Sequence, residues 1–177
     1  MNNTLEPLRR QIYLMQQVHE AKLYIERAEQ LAHPHLMQTL DEIWGVLLAF
    51  RGAIISYAKC FAKTGSGKIK LEERDVFARN PELVDQHRRI IDLRNRYVAH
   101  SDDNEMESTS IDPVETQTEL VIHLQYEVAF PFDRMYDLRE LIKHLDGYVA
   151  NGLEKLVRRI EGQVGKPVRI QGGSASR

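Results

Sequence analysis

Apolar residues recur at steps of three and four from the N-terminal region onward, at Leu5, Leu8, Ile12, Met15, Val18, Ala21, Ile25 and Ala28. That period draws one apolar stripe along a long helix. Thr4 is placed to cap it, with Pro7 in the first turn, where a missing amide costs nothing. His33-Pro34-His35 breaks the pattern. The run from Leu36 through Phe61 is too continuously apolar for a surface helix and predicts a central, buried one. Within it, Gly45 to Ala62 approaches membrane-spanning length, yet Arg51 in its middle, Lys59 near its end and Asp41-Glu42 just before it favour a protein core over a bilayer. Lys63-Thr64-Gly65-Ser66-Gly67-Lys68 reads as a basic loop between helices.

A short helix is expected over Leu71 to Arg79. Asn80-Pro81-Glu82 then combines a capping side chain, a proline at the first helical position and an acid in the first turn. The helix it starts runs to about Ala99, and Ser101-Asp102-Asp103-Asn104 stops it, so His100 stands at the helix end. Farther on the period changes to two: Ile122, Leu124, Tyr126 and Val128 alternate with His123, Gln125 and Glu127, the pattern of a half-buried strand. Met106 to Ile111 is its expected partner, turned by Asp112-Pro113 and a polar loop. Asp133 opens a last long helix with Leu138, Ile142, Leu145, Val149, Leu153, Leu156 and Ile160 on one face. No internal repeat is present. The fold class is mainly α: an up-down helical bundle with a small β-hairpin or strand insertion after the helix that ends at His100. One domain spans 1–161, with the insertion at about 106–130, and 162–177 form a flexible tail.

Length and composition fit one globular domain: 177 residues, 42% hydrophobic and 28% charged. A net charge of -2 argues against a general nucleic-acid coat but leaves room for a local basic patch. The single cysteine, Cys60, excludes an internal disulfide and multi-cysteine zinc motifs; with no apolar leader at Met1 to Arg10, a cytoplasmic protein is expected.

The chemistry-bearing stretch is Arg94-Asn95-Arg96-Tyr97-Val98-Ala99-His100. Arginine offers a permanent planar charge matched to phosphate oxygens, and histidine exchanges a proton near neutral pH. Spacing alone is uninformative. Sixteen arginines and seven histidines yield about two arginine-to-histidine matches by chance, and two others exist, Arg27 with His33 and Arg139 with His144. Context separates the three: only Arg94 is followed by asparagine, preceded by Ile90-Ile91-Asp92-Leu93 and joined to a histidine at a helix end.

Over Asn80 to Asp103 this pattern resembles the HEPN superfamily, in its arginine-asparagine-x-x-x-x-histidine variant, and the layout of helices looks most like the abortive-infection, toxin-like branch. The resemblance implies a HEPN-like bundle and a homodimer in which two motifs form one composite cleft. It implies a metal-independent endoribonuclease without cofactor, in which Arg94, Asn95 and His100 are catalytic. One His100 would take the proton of the ribose 2'-hydroxyl, the other would protonate the leaving 5'-oxygen, and Arg94 would stabilise the transition state. On an ideal α-helix, residues six apart point about 120° away from each other, so helix termination and the reach of arginine must close that gap. Arg96, Arg88 and Arg89 are candidate RNA-backbone contacts, and Tyr97 a stacking platform. The branch also suggests a nucleotidyltransferase-like antitoxin as partner.

Blander readings stand beside these. Asp85 and Asp92 among the arginines fit a salt-bridged surface, Tyr97 fits a core residue, and Arg94 with His100 fits a favourable helix C-terminus. A non-catalytic dimeric module binding RNA, a nucleotide or a protein partner is the alternative function. Thr64 to Lys68 lacks the first glycine and the hydroxyl residue of a phosphate-binding loop, Ala62 and Ile69 standing instead. His33 and His35 lack companion metal ligands in sequence, Asp41-Glu42 read as a surface pair, and Arg51 needs a partner, a path to the surface or a place in a dimer cleft.

Overall fold

The computed structural model describes residues 2–33, 39–62, 71–98, 107–128 and 132–171. It is mainly helical with one small antiparallel sheet: helix α1 (Asn2–Leu31), α2 (Leu40–Lys59), the single turn α3 (Glu73–Val76), α4 (Pro81–Leu93), a π-helical turn (Arg94–Val98), strands β1 (Glu107–Glu115) and β2 (Leu120–Val128), and α5 (Phe132–Val164). No helix among the described residues is long and apolar enough to cross a membrane.

Helix α1 starts ahead of the expected Thr4 cap, so Pro7 lies inside the helix rather than in its first turn. The expected stripe holds from Val18 through Ala28, but before it Leu14 is buried while Met15 and Leu5 are exposed. The reason is packing. Gln11 Nε2 donates to the Val149 carbonyl at 2.6 Å, which turns the face carrying residues 11, 14 and 18 onto α5. Helix α2 starts at Leu40 because Thr39 and Glu42 form a reciprocal capping box: the Thr39 hydroxyl accepts from the Glu42 amide and the Glu42 carboxylate accepts from the Thr39 amide. As its apolar run leads one to expect, α2 is largely buried from Val46 to Ala58, Phe50, Ile54 and Tyr57 completely, although Leu40 and Leu48 are exposed.

Cross-helix pairs fix the topology. Along α1 and α2, Leu31 lies against Gly45, Tyr24 against Gly52, and Glu20 accepts from the Ser56 hydroxyl at 3.1 Å. Falling numbers on α1 meet rising numbers on α2, so the helices are antiparallel. Gly52 is required by this approach, since a Cβ there would stand 2.9 Å from the Tyr24 ring. Glu29 with Arg139 and Gln11 with Val149 make α1 antiparallel to α5 as well. Arg89 with Asp137, and Leu83 sharing a cleft with Lys143 and His144, do the same for α4 and α5. Helices α1, α2, α4 and α5 thus alternate in direction around one core.

The insertion differs from expectation in two respects. Strand β1 runs through Asp112-Pro113 to Glu115, and Pro113 pairs with Ile122. A two-stranded ribbon has an outward edge on each strand, where a missing amide is tolerated. The reversal is made instead by Thr116 to Glu119, where the Thr116 hydroxyl donates to the Glu119 carbonyl at 2.9 Å and accepts from its amide at 3.1 Å. Nor is β2 half-buried at Ile122 and Leu124, which are 55% and 73% exposed, and Ile111 on β1 is exposed too, because no helix among the described residues packs across the ribbon; the side chains of Tyr126 and Val128 lie outside the described residues. The alternation is genuine strand pattern without a core behind it. At the C-terminal end α5 continues past Glu161 to Val164, where Gly165 takes a φ of 66° and its amide closes the last turn onto the Glu161 carbonyl.

Candidate functional site

Helix α4 is the scaffold of the site. The Asn80 side chain accepts from the Leu83 amide at 3.3 Å and Pro81 occupies the first position, so the start is the one its sequence announces. His87, Ile90 and Leu93 are buried and anchor the helix on the core. The helix does not continue as α to Ala99. At Arg94 it widens into a π turn that packs against α2. A π turn bonds each amide to the carbonyl five residues back, so Arg94–Val98 does not follow α-helical spacing. Such turns are frequent at functional sites.

Arg94 Nη1 donates to Asn95 Oδ1 at 3.0 Å, which joins the two residues singled out by the motif. Both side chains are exposed. His100 and its Ser101-Asp102 neighbours lie outside the described residues, as does the Tyr97 side chain. The other arginines of this helix are engaged. Arg88 Nη2 meets Glu73 Oε1 at 2.7 Å, Arg89 Nη2 meets Asp137 Oδ2 at 2.9 Å, and Arg96 Nε meets an Asp92 oxygen at 3.1 Å. Among the described residues no carboxylate lies within ion-pair distance of Arg94.

Arg94 and Asn95 border a cavity of about 380 Å³ between the C-terminal end of α2, the segment 71–73 and α4; Phe61, Leu71, Glu72, Glu73 and His87 also line it. His87 is the residue sequence reasoning missed. It is 5% exposed, with Phe61 and Phe77 packed against its ring at centroid distances of 4.4 and 5.2 Å. Its Nδ1 lies 2.8 Å from the Tyr57 hydroxyl, and its Nε2 lies 3.9 Å from Glu73 Oε2. Burial pushes the His87 pKa down to about 4, against a smaller upward pull from Glu73, so the ring is neutral near pH 7 and the contact with Glu73 is not an ion pair. The Arg88 hydrogen bond holds the Glu73 carboxyl below its usual range. With a carboxylate facing Nε2, the favoured tautomer has Tyr57 donating to Nδ1 and carries its proton on Nε2. A signal existed in the sequence: His87, Ile91 and Arg94 stand at i, i+4 and i+7, one face of one helix.

The other candidates have structural work. Arg139 pairs with Glu29 at 3.3 Å, and His144 Nε2 bonds the Val76 carbonyl at 2.9 Å, which absorbs one chance match of the motif spacing. Arg27 and His33 are exposed on and just beyond α1, so this match too ends at a helix terminus, contrary to expectation, and only Asn95 and the apolar lead-in set Arg94 apart; His35 lies outside the described residues. Arg51 is half-buried with its guanidinium 5.5 Å from the centre of the Trp44 ring, a cation–π contact within its own helix. Glu42 caps α2 beside Asp41. Residues Thr64 to Lys68 fall outside the described residues. A larger cleft of about 690 Å³ lies between residues 75–80 and α5, away from Arg94. The chain matches no protein-family model, no curated protein and no solved structure.

Proposed function

We propose that this chain is a HEPN-type, metal-independent endoribonuclease of the toxin or anti-phage kind, acting as a homodimer. The observation that carries this reading is the state of Arg94: its guanidinium is oriented by Asn95 and lacks a carboxylate among the described residues, whereas Arg88, Arg89 and Arg96 are all paired. A positioned and uncompensated arginine beside a cavity is what binding a phosphate requires. In the reaction the ribose 2'-oxygen attacks phosphorus and the bond to the 5'-oxygen breaks, leaving a 2',3'-cyclic phosphate and a 5'-hydroxyl. His100 of one chain takes the 2'-proton, His100 of the second delivers one to the 5'-oxygen, and Arg94 stabilises the charge gathered on the phosphoryl oxygens.

The pairing of Arg88, Arg89 and Arg96 favours a second reading in part, that of a non-catalytic module binding RNA, a nucleotide or a protein. Exposed ion pairs are screened by water and individually weak, so Arg88 and Arg96 can exchange their carboxylates for phosphates at small cost. RNA cleavage by the purified protein in EDTA, lost in both Arg94→Ala and His100→Ala with the fold intact, is the expected result. Cleavage surviving in both variants refutes the site, and products ending in a 3'-hydroxyl refute the use of the 2'-oxygen. RNA binding without cleavage in the wild type supports the second reading.

A further inference from the structure

We propose that the cavity beside Arg94 is a nucleobase subsite selective for guanine, in which Glu73 and Glu72 accept from the base edge, His87 Nε2–H donates to it, and Arg94 at the rim holds the phosphate of the same nucleotide. This rests on the reading of Arg94 as a phosphate ligand. The first ground is shape. At about 380 Å³ the cavity falls at the lower end of the range of small-ligand sites, and its walls combine apolar and aromatic surface from Phe61, Leu71 and Ile91 with a few polar groups.

The second ground is the arrangement of those polar groups. The 3.9 Å between His87 Nε2 and Glu73 Oε2 is too long for a direct hydrogen bond, and a donor and an acceptor held side by side in this way are both left to a third group. Glu73 can serve two partners at once. Arg88 is bound closely by Oε1, at 2.7 Å, while Oε2, the oxygen facing His87, has only a 3.4 Å contact with Arg88 Nε. Tyr57 holds the other edge of the imidazole at 2.8 Å, so the ring cannot turn its Nε2 away without breaking a buried hydrogen bond.

The third ground is chemical matching. Along one edge guanine presents an acceptor, O6, followed by two donors, N1–H and the N2 amino group. One donor from His87 and two carboxylates, Glu73 and Glu72, complement that sequence. Adenine presents a single donor beside an acceptor there and leaves one carboxylate desolvated without a partner, which is the costly situation for a site built for hydrogen bonds.

The test is calorimetric titration of the intact protein with guanosine 3'-monophosphate, inosine 3'-monophosphate, adenosine 3'-monophosphate and unphosphorylated guanosine. Guanosine 3'-monophosphate should bind tightest, and inosine 3'-monophosphate, which lacks the N2 amino group, on the order of tenfold more weakly. Glu73→Gln and His87→Phe should each weaken guanosine 3'-monophosphate by a similar factor and erase its advantage over adenosine 3'-monophosphate. Arg94→Ala should weaken the nucleotide but leave guanosine unchanged. If His87→Phe does not fold, the more exposed Glu73→Gln carries the test. Equal affinities for the guanine and adenine nucleotides, or no heat with any of them, overturns the subsite whether or not RNA is cleaved. Guanine-selective binding by a protein that cleaves no RNA leaves the subsite standing and sinks the ribonuclease.

Discussion

Acidification should cost this protein stability through one buried ring. His87 has an ordinary pKa of 6.5 when the chain is unfolded and about 4 in the fold, mainly because charging it means desolvating an imidazolium among Phe61, Phe77 and Tyr57. Between those values the unfolded chain holds more protons than the folded one. The contribution is therefore present in full above about pH 6.5, declines as pH falls toward 4, and is flat below. At ~1.36 kcal/mol per pH unit the interval amounts to about 3 kcal/mol; the ring also opens onto the cavity, where water screens part of the charge, which reduces the expectation to about 2 kcal/mol. Glu73 and Arg88 lie around the same group, and Glu73 stays ionised to lower pH, so its own loss falls at the acid end of the range. Urea unfolding from about pH 7 to about pH 4 measures the effect, with His87→Phe as control. That variant should start less stable, because the Tyr57 hydroxyl loses its partner, yet lose about 2 kcal/mol less than wild type across the range. Parallel profiles for the two proteins would refute a neutral, desolvated His87.

Three further outcomes follow from single contacts. Cys60 is fully buried and its thiol is pushed up to about 12 by that burial, so a thiol reagent should label it only at the rate of unfolding; rapid labelling in native buffer contradicts the burial. Asn80→Ala removes the cap of α4 and should lower stability by about 1 kcal/mol in thermal or urea melts, whereas Asn80→Asp, which retains a capping oxygen, should be nearly neutral. Replacing residues 107–128 by a short Gly-Ser linker should leave the thermal midpoint of the helical bundle almost unchanged. Glu107 and Val128 are paired neighbours, so a short linker closes the gap, and a large drop would show that the ribbon supports the core.

Several elements were legible in the sequence because their causes are local. The start of α4 needed only Asn80 and Pro81, the burial of α2 only its run of apolar residues, and strand β2 only a period of two, whereas Asp112-Pro113 reads as a turn and hid the reach of β1 to Glu115. The joining of Arg94 to Asn95 is also local, a contact between adjacent residues. The burial of β2 was not legible, since alternation reports which side chains share a face and is silent on whether another element covers it. For the same reason Leu14 took the buried place assigned to Met15: Val149, far along the chain, decided how α1 rolls.

What the sequence determined by itself is the set of helices, the position of Arg94 and Asn95 just past the end of α4 and the chemical means these two residues bring. The tertiary structure alone decided how the charges are spent. Glu73 and Asp137 reach Arg88 and Arg89 across separations of 15 and 48 residues, and with Asp92 holding Arg96 this leaves Arg94 as the uncompensated arginine of that helix among the described residues. His87 was one polar letter beside two arginines until the fold surrounded it with Phe61, Phe77 and Tyr57 and set Glu73 opposite its free edge. Helix period and capping are written in neighbouring residues, whereas pairing, burial and desolvation depend on groups that only a folded chain brings within a few ångströms.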